Sequence, residues 1–221
     1  MPQRIGVGTG GLIFHVMNRG VRRLRLFESA NDYQLFLMCL EAARRQHPVK
    51  ILAICVMPNH FHLVVQPTED FQLAAFMKVG VGTHAKRWNS DHQRVGQGAV
   101  YQGRYRAFPM YTDTHFVRVC RYVERNPLRA GLVRRAESWH WSSLNPDCRK
   151  CNVPALDPWP ILQPENWVEL VNVSETVFDL DQIRRSVIHG IPFGPAPWAT
   201  SVAATLQLRC YPRRPGRPRK V

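Results

Sequence analysis

Apolar positions along the first 130 residues switch between a period of two and a period of three to four. Leu12-Ile13-Phe14-His15-Val16-Met17-Asn18-Arg19 reads as a strand closed by Gly20. Asn31-Asp32 can then cap a helix whose apolar positions are Tyr33, Phe36, Leu37, Leu40 and Ala43, with Arg44 and Arg45 in its last turn. Pro48 stops it. Val49 to Met57 is β-branched and apolar enough for a central strand, and Pro58-Asn59 turns the chain into His60-Phe61-His62-Leu63-Val64-Val65. These two strands are expected to pair as a hairpin. A second helix is expected from Glu69-Asp70, buried along Leu73, Phe76, Met77, Val81, His84 and Trp88, with Gly80 and Gly82 as places for a kink. Val100 to Phe108 reads as a further strand. A third helix runs from about Asp113 to Arg125, with Phe116, Val119, Cys120 and Val123 on its apolar face, and Asn126-Pro127 ends it.

The order strand, helix, strand, strand, helix, strand, helix is the split βαβ pattern. It predicts an α+β fold: a ferredoxin-like βαββαβ sandwich, its antiparallel sheet covered by helices on one face, carrying one more helix. Beyond Trp141-Ser142-Ser143 the composition shifts. Residues 145 to 165 are rich in proline and asparagine and read as a linker, and a mainly helical segment follows to about Leu208, interrupted from Gly190 to Pro197. The reading is therefore a domain over residues 1–145, a linker and helical extension over 146–208, and a basic tail over 209–221.

Charge narrows the partner. The 221 residues carry a formal net charge of +14 and a pI of about 10.2, an excess that attracts polyanions, of which nucleic acid is the usual one. No apolar run reaches the roughly 20 residues of a membrane-spanning helix. With no signal-like N-terminus, the expected location is cytoplasmic and associated with the nucleoid. Cys39, Cys55 and Cys120 sit in apolar segments as small buried hydrophobes. Cys148 and Cys151 form a lone C-x-x-C with no second pair at zinc-site spacing, and ordinary thiols are the simpler reading.

The chemistry concentrates in the histidine strand. Alternate side chains of a strand share a face, so His60, His62 and Val64 point one way while Phe61, Leu63 and Val65 point into a core. Two imidazoles side by side on a stiff support make half a site for a divalent metal. The bland reading is an edge strand with two polar positions. Tyr122 and Asn126, four apart, stack on one helix face. Were that helix to lie against the histidine strand, Asn126 would offer an amide oxygen as third ligand, with Tyr122 one turn away. A half-buried packing tyrosine and a simple helix stop are the competing readings on spacing alone.

Several separated motifs share one resemblance. His60-Phe61-His62 after Met57-Pro58-Asn59 resembles the HUH motif of the single-tyrosine transposases of bacterial insertion sequences. Arg121-Tyr122-Val123-Glu124-Arg125-Asn126-Pro127-Leu128-Arg129-Ala130-Gly131-Leu132-Val133 is similar to the catalytic-tyrosine segment of their REP-associated branch. Asn18-Arg19-Gly20, Leu26-Phe27, Asp32-Tyr33, Phe36-Leu37, Gln102-Gly103-Arg104-Tyr105 and Trp141-Ser142-Ser143 match the same branch. The resemblance implies an enzyme in which Mg²⁺ or Mn²⁺ is held by His60, His62 and Asn126. It also implies Tyr122 as the nucleophile that forms a 5′-phosphotyrosine. Related enzymes outside the branch carry glutamine where Asn126 stands. The implied substrate is single-stranded or hairpin DNA from palindromic repeats.

Arg19, Arg22, Arg23, Arg104 and Arg106 are candidates for the phosphate backbone, and Tyr101 and Tyr105 for stacking on unpaired bases. Arg217 and Arg219 lie in a Pro-Gly-Arg-Pro-Arg-Lys tail that resembles an AT-hook. A monomer and a homodimer both fit this reading. The rivals are a non-catalytic DNA-binding or regulatory protein on the same fold, and a barrel hydrolase opening with His-x-His. The chain is short for the barrel, which typically needs about 250 residues.

Overall fold

The computed structural model describes residues 9–151 and 154–208. Four antiparallel strands, β1 (Ile13–Arg19), β2 (Val49–Met57), β3 (His60–Pro67) and β4 (Arg106–Met110), form one sheet in the order β2-β3-β1-β4. That is the ferredoxin-like order, and it makes the histidine strand β3 central rather than an edge. α1 (Ala30–Gln46) and α2 (Gln72–Asp91) cover one face, where Phe14, Val16, Ile54, Val56, Phe61, Leu63 and Val65 meet Phe36, Leu40, Phe76 and Met77. Both helices follow the expected apolar stripes. α1 starts one turn earlier than Asn31-Asp32 suggests, because Ser29 caps it and exchanges hydrogen bonds with Asp32 in a capping box. α2 runs unbroken through Gly80. A Cβ there would lie 3.2 Å from Leu40 Cδ2 and 3.4 Å from the Ala43 Cβ, so this glycine lets the two helices approach closely.

The opposite face is covered by the additional helix and the C-terminal extension. α3 (Thr114–Glu124) lies there, with Phe116, Val119, Cys120 and Val123 packed on Ala53, Cys55, Val64, Phe108 and Met110. Asn126-Pro127 does not end the helical path. Arg125 keeps αR geometry and a further turn, α4 (Asn126–Arg129), follows with proline at its start, where a missing N–H costs nothing. The linker contributes α5 (Pro146–Cys151), and the extension supplies α6 (Trp167–Asn172), α7 (Val177–His189) and α8 (Ala196–Thr205). Trp167, Val171, Ile183 and Phe193 join the core under α3, while Val202, Ala203 and Leu206 join the core under α1 and α2. The extension therefore shares both cores.

The last strand is shorter and later than Val100–Phe108. Gly103 takes a left-handed conformation (φ 80°), and Tyr101 makes only an isolated bridge to Gly20 before β4 begins at Arg106. Among the described residues no helix is long and apolar enough to cross a membrane.

Candidate active site

The register of the sheet builds the site. β2 pairs with β3 so that Cys55 faces His62 and Met57 faces His60, and β1 pairs with β3 so that Met17 faces His62 and Arg19 faces His60. The two histidines thus share the sheet face that α3 covers. Their ring centroids lie 5.0 Å apart, edge to face. The Tyr122 ring stands perpendicular to His62 at 5.8 Å. The helix that carries Tyr122 therefore lies against the histidine strand, the condition on which the sequence reading depended.

Tyr122 is held from both sides. Two residues on, the buried Glu124 carboxylate accepts hydrogen bonds from Ser143 Oγ and from Trp167 Nε1 at 2.7 Å. Ser143 Oγ itself accepts the Ile54 N–H at 3.0 Å, so this chain ties α3 to β2 and to α6. The Trp141-Ser142-Ser143 motif acquires a physical role here: it runs antiparallel beside β2, with Val56 N–H donating to Trp141 O and Ser143 N–H to Ile54 O. On the other side Arg129 donates to the Tyr122 carbonyl at 3.2 Å and to Glu175 Oε2 at 2.8 Å. Arg121 and Arg125 grip carbonyls at the end of α6, at Val173, Val171 and Asn172. Neither Glu124 nor Arg129 was singled out in the sequence, where both were only members of the segment around Tyr122.

Burial governs the electrostatics. It lowers His60 to about 4, helped by the charges of Arg19 and Arg129, and lowers His62 well below its ordinary value, with His60 and His15 adding to the effect. Both rings are neutral near pH 7, as metal ligands must be. The Tyr122 phenol is raised by burial, against which Arg129 and Arg184 act.

The donor set fits a cation. His60 Nδ1 lies 2.6 Å from Asn59 Oδ1, so with an amide oxygen accepting, its proton sits on Nδ1 and Nε2 is bare. His62 Nδ1 is engaged as well, 2.8 Å from His15 Nε2. Asn126 is buried and its Nδ2 has no hydrogen-bond partner. Rotating that amide puts an oxygen where the orphaned nitrogen lies, an arrangement that a cation would satisfy. No group of three His, Cys, Asp or Glu side chains capable of holding a metal occurs among the described residues. A cation here would therefore draw on the two imidazoles and the Asn126 amide.

The basic candidates fall on one rim beside the histidines. The Gly20–Tyr101 bridge and the Gln102 N–H to Arg19 O bond join the two segments that carry them. Arg22, Arg23, Arg104 and Arg106 are exposed, and Arg19 bonds Gln102 Oε1 at 3.1 Å. Tyr105 is half-buried against the first core. Tyr101 does not serve as a stacking platform: it is 6% exposed, and its hydroxyl shares a 2.8 Å hydrogen bond with His84 Nδ1 inside the core. Arg217 and Arg219 lie outside the described residues.

The model of the family described as transposase IS200-like matches residues 9–126, more than half of the chain. A Haemophilus influenzae protein assigned to the REP-associated tyrosine transposases is 25% identical over 149 residues, covering 63% of this chain and 83% of its own. The REP-associated tyrosine transposase of Escherichia coli is 22% identical over 142 residues, covering 62% and 79%. Among solved structures, a REP-associated tyrosine transposase bound to a REP hairpin superposes with a TM-score of 0.54 at 18% identity, covering 80% of this chain and 95% of that one. This last likeness speaks for the fold.

Proposed function

The chain belongs to the IS200-like transposases, enzymes that cut and transfer DNA, and from that premise we propose that Tyr122 is the nucleophile of a metal-dependent reaction on single-stranded or hairpin DNA. The observation that carries this reading is the Tyr122 ring set 5.8 Å from a buried, neutral His62 whose neighbour is His60. The Tyr122 oxygen attacks the scissile phosphorus in line. A phosphorus–tyrosine bond forms as the bond from phosphorus to the 3′ oxygen breaks. The phenolic proton passes to solvent, and the departing 3′ oxygen takes up a proton. The products are a 5′-phosphotyrosine and a free 3′-OH. The reverse step, by a new 3′-OH, releases Tyr122 and joins the strand.

His60, His62 and Asn126 would hold Mg²⁺ or Mn²⁺. Bound there, the ion supplies Lewis-acid polarisation of the scissile phosphate, and a neutral ligand shell leaves it its full charge. Around that site the protein does three things. The Glu124–Ser143–Trp167 bonds fix where Tyr122 stands. Arg129 and Arg184 favour the phenolate against the effect of burial. The rim of Arg19, Arg22, Arg23, Arg104 and Arg106 receives the sugar–phosphate backbone, and Tyr105 stacks on an unpaired base. The solved relative that shares this fold is itself bound to a REP hairpin.

Incubation with labelled hairpin DNA from the gene's own flanks tests the reading. The parent protein should form a covalent adduct that Tyr122→Phe lacks while still binding the DNA within a few fold. An adduct that survives in Tyr122→Phe and vanishes on changing Tyr105 or Tyr111 would place the nucleophile elsewhere.

A further inference from the structure

His15 was unremarkable in the sequence, one polar residue in an apolar strand. We propose that it is a positioning residue: its Nε2 accepts the His62 Nδ1 proton, which turns the His62 Nε2 lone pair toward the cation site. The inference rests on the metal reading above and extends it to a residue on another strand.

The geometry follows from the register. Met17 pairs with His62 and His15 with Val64, so His15 sits diagonally across from His62 on the same face of the sheet. The two rings meet Nε2 to Nδ1 at 2.8 Å. His15 is fully buried, with Phe108 at 4.9 Å and Tyr122 at 6.2 Å between ring centroids. Burial keeps the His15 ring neutral near pH 7.

Two neutral imidazoles share one proton in such a bond, and there are two ways to place it. In one, His15 donates from Nε2, His62 carries its own proton on Nε2, and that nitrogen cannot bind a cation. In the other, His62 donates from Nδ1 and keeps Nε2 bare. His15 then carries its proton on Nδ1, a buried atom that has no hydrogen-bond partner. A buried N–H without a partner costs more than a bare ring nitrogen without one. A bound cation nonetheless selects the second arrangement, because only that one leaves the His62 Nε2 bare. The unpartnered Nδ1 is what the protein gives up for it. A side chain placed only for packing would have no need of this polar ring, since phenylalanine fills the same space. The His60–Asn59 contact does the same work for the other histidine with an amide oxygen as acceptor.

The test is a Mn²⁺ titration of the full chain, read by the electron paramagnetic resonance signal of free Mn²⁺, for the parent, His60→Ala, His15→Phe and His15→Gln. Circular dichroism and melting without metal report folding. Outer partners of metal ligands typically govern about 10- to 100-fold in affinity. His15→Phe should weaken Mn²⁺ binding by that much, while His15→Gln, whose amide oxygen can accept the same proton, stays within a few fold of the parent. Folded His15→Phe that binds Mn²⁺ as tightly as the parent would overturn the proposal while His60→Ala still loses the ion. Parent protein whose Mn²⁺ binding is absent, or is untouched by His60→Ala, would overturn the metal reading and this one with it. Should His15→Phe fail to fold, ¹⁵N spectra of the parent histidines with Mg²⁺ decide. A His62 proton on Nδ1 supports the assignment, and one on Nε2 refutes it.

Discussion

The guanidinium of Arg129 lies over the ring of Tyr122, 4.3 Å from its centroid, and Glu175 of the C-terminal extension holds it there through a 2.8 Å ion pair. The Glu175 side chain is 4% exposed, so the pair is shielded from solvent. The extension thereby reaches the proposed nucleophile through a residue one turn beyond the helix that carries it.

Removing that cation should slow the chemistry by a similar factor at neutral and at mildly alkaline pH. Burial raises the phenol, Arg129 opposes it, and so Arg129→Ala raises it further and lowers the phenolate fraction at pH 7. A cation over an aromatic face contributes about 0.5–2 kcal/mol, or about 2- to 30-fold in rate. Single-turnover adduct formation by Arg129→Ala should fall by that range at pH 7 and by a similar factor at pH 9, because the phenol, raised above its ordinary value of about 10, is mostly protonated at both. Arg129→Lys, which keeps the charge but loses the planar stack, should lie between. Adduct formation by Arg129→Ala at the parent's rate would mean that the contact only packs.

The arrangement of the proposed site was legible where it depends on local period. The His60-x-His62 alternation, the apolar stripe of α3 and the four-residue step from Tyr122 to Asn126 all follow from one strand or one helix. What the sequence did not reveal depends on pairing between distant segments. His15 gains its partner only through the β1–β3 register, and Glu124 becomes a buried anchor only because Ser143 and Trp167 close over it. Tyr101 looked like a surface aromatic among arginines, but the Gly20 bridge and the left-handed turn at Gly103 pull it into the core against His84. Proline was read as a stop at Asn126-Pro127. It stands instead at the first position of a new turn, where it is compatible with helix.

Buried neutral histidines should make the fold sensitive to acid. His84 and His60 are lowered to about 4 and His15 to about 3, each chiefly by burial. The unfolded chain takes up these protons near pH 6.5 and the folded chain does not. Stability from these groups is therefore complete above about 6.5 and is lost as pH falls toward 4, by up to about 1.4 kcal/mol per pH unit for each histidine. His84 can be examined apart from the metal site. Changing His84→Phe alone would strand the Tyr101 hydroxyl, so His84→Phe with Tyr101→Phe is the informative variant. Its urea midpoint should fall less than the parent's between pH 7 and pH 5. An unchanged drop would assign the acid sensitivity to other groups.

The rim and the tail can be separated by salt. Arg22, Arg23, Arg104 and Arg106 are exposed and brought together beside His60 by the Gly20–Tyr101 bridge. Arg213, Arg214, Arg217, Arg219 and Lys220 concentrate charge in a proline-interrupted stretch of sequence. Each phosphate contact released on single-stranded DNA contributes about 0.7 to the slope of log affinity against log salt. Changing the four rim arginines to glutamine should flatten the slope by up to about 3. Deleting residues 209–221 should flatten it by a separate amount, so that the combined variant loses close to the sum. The measurement is hairpin binding between 50 and 300 mM salt, concentrations set on the order of the range over which such contacts are screened. A rim variant with the parent's slope would place the phosphate path elsewhere on the sheet. A truncated protein with the parent's slope would mean that the tail makes no contact with the hairpin and that the arginines beside the histidines carry the DNA alone.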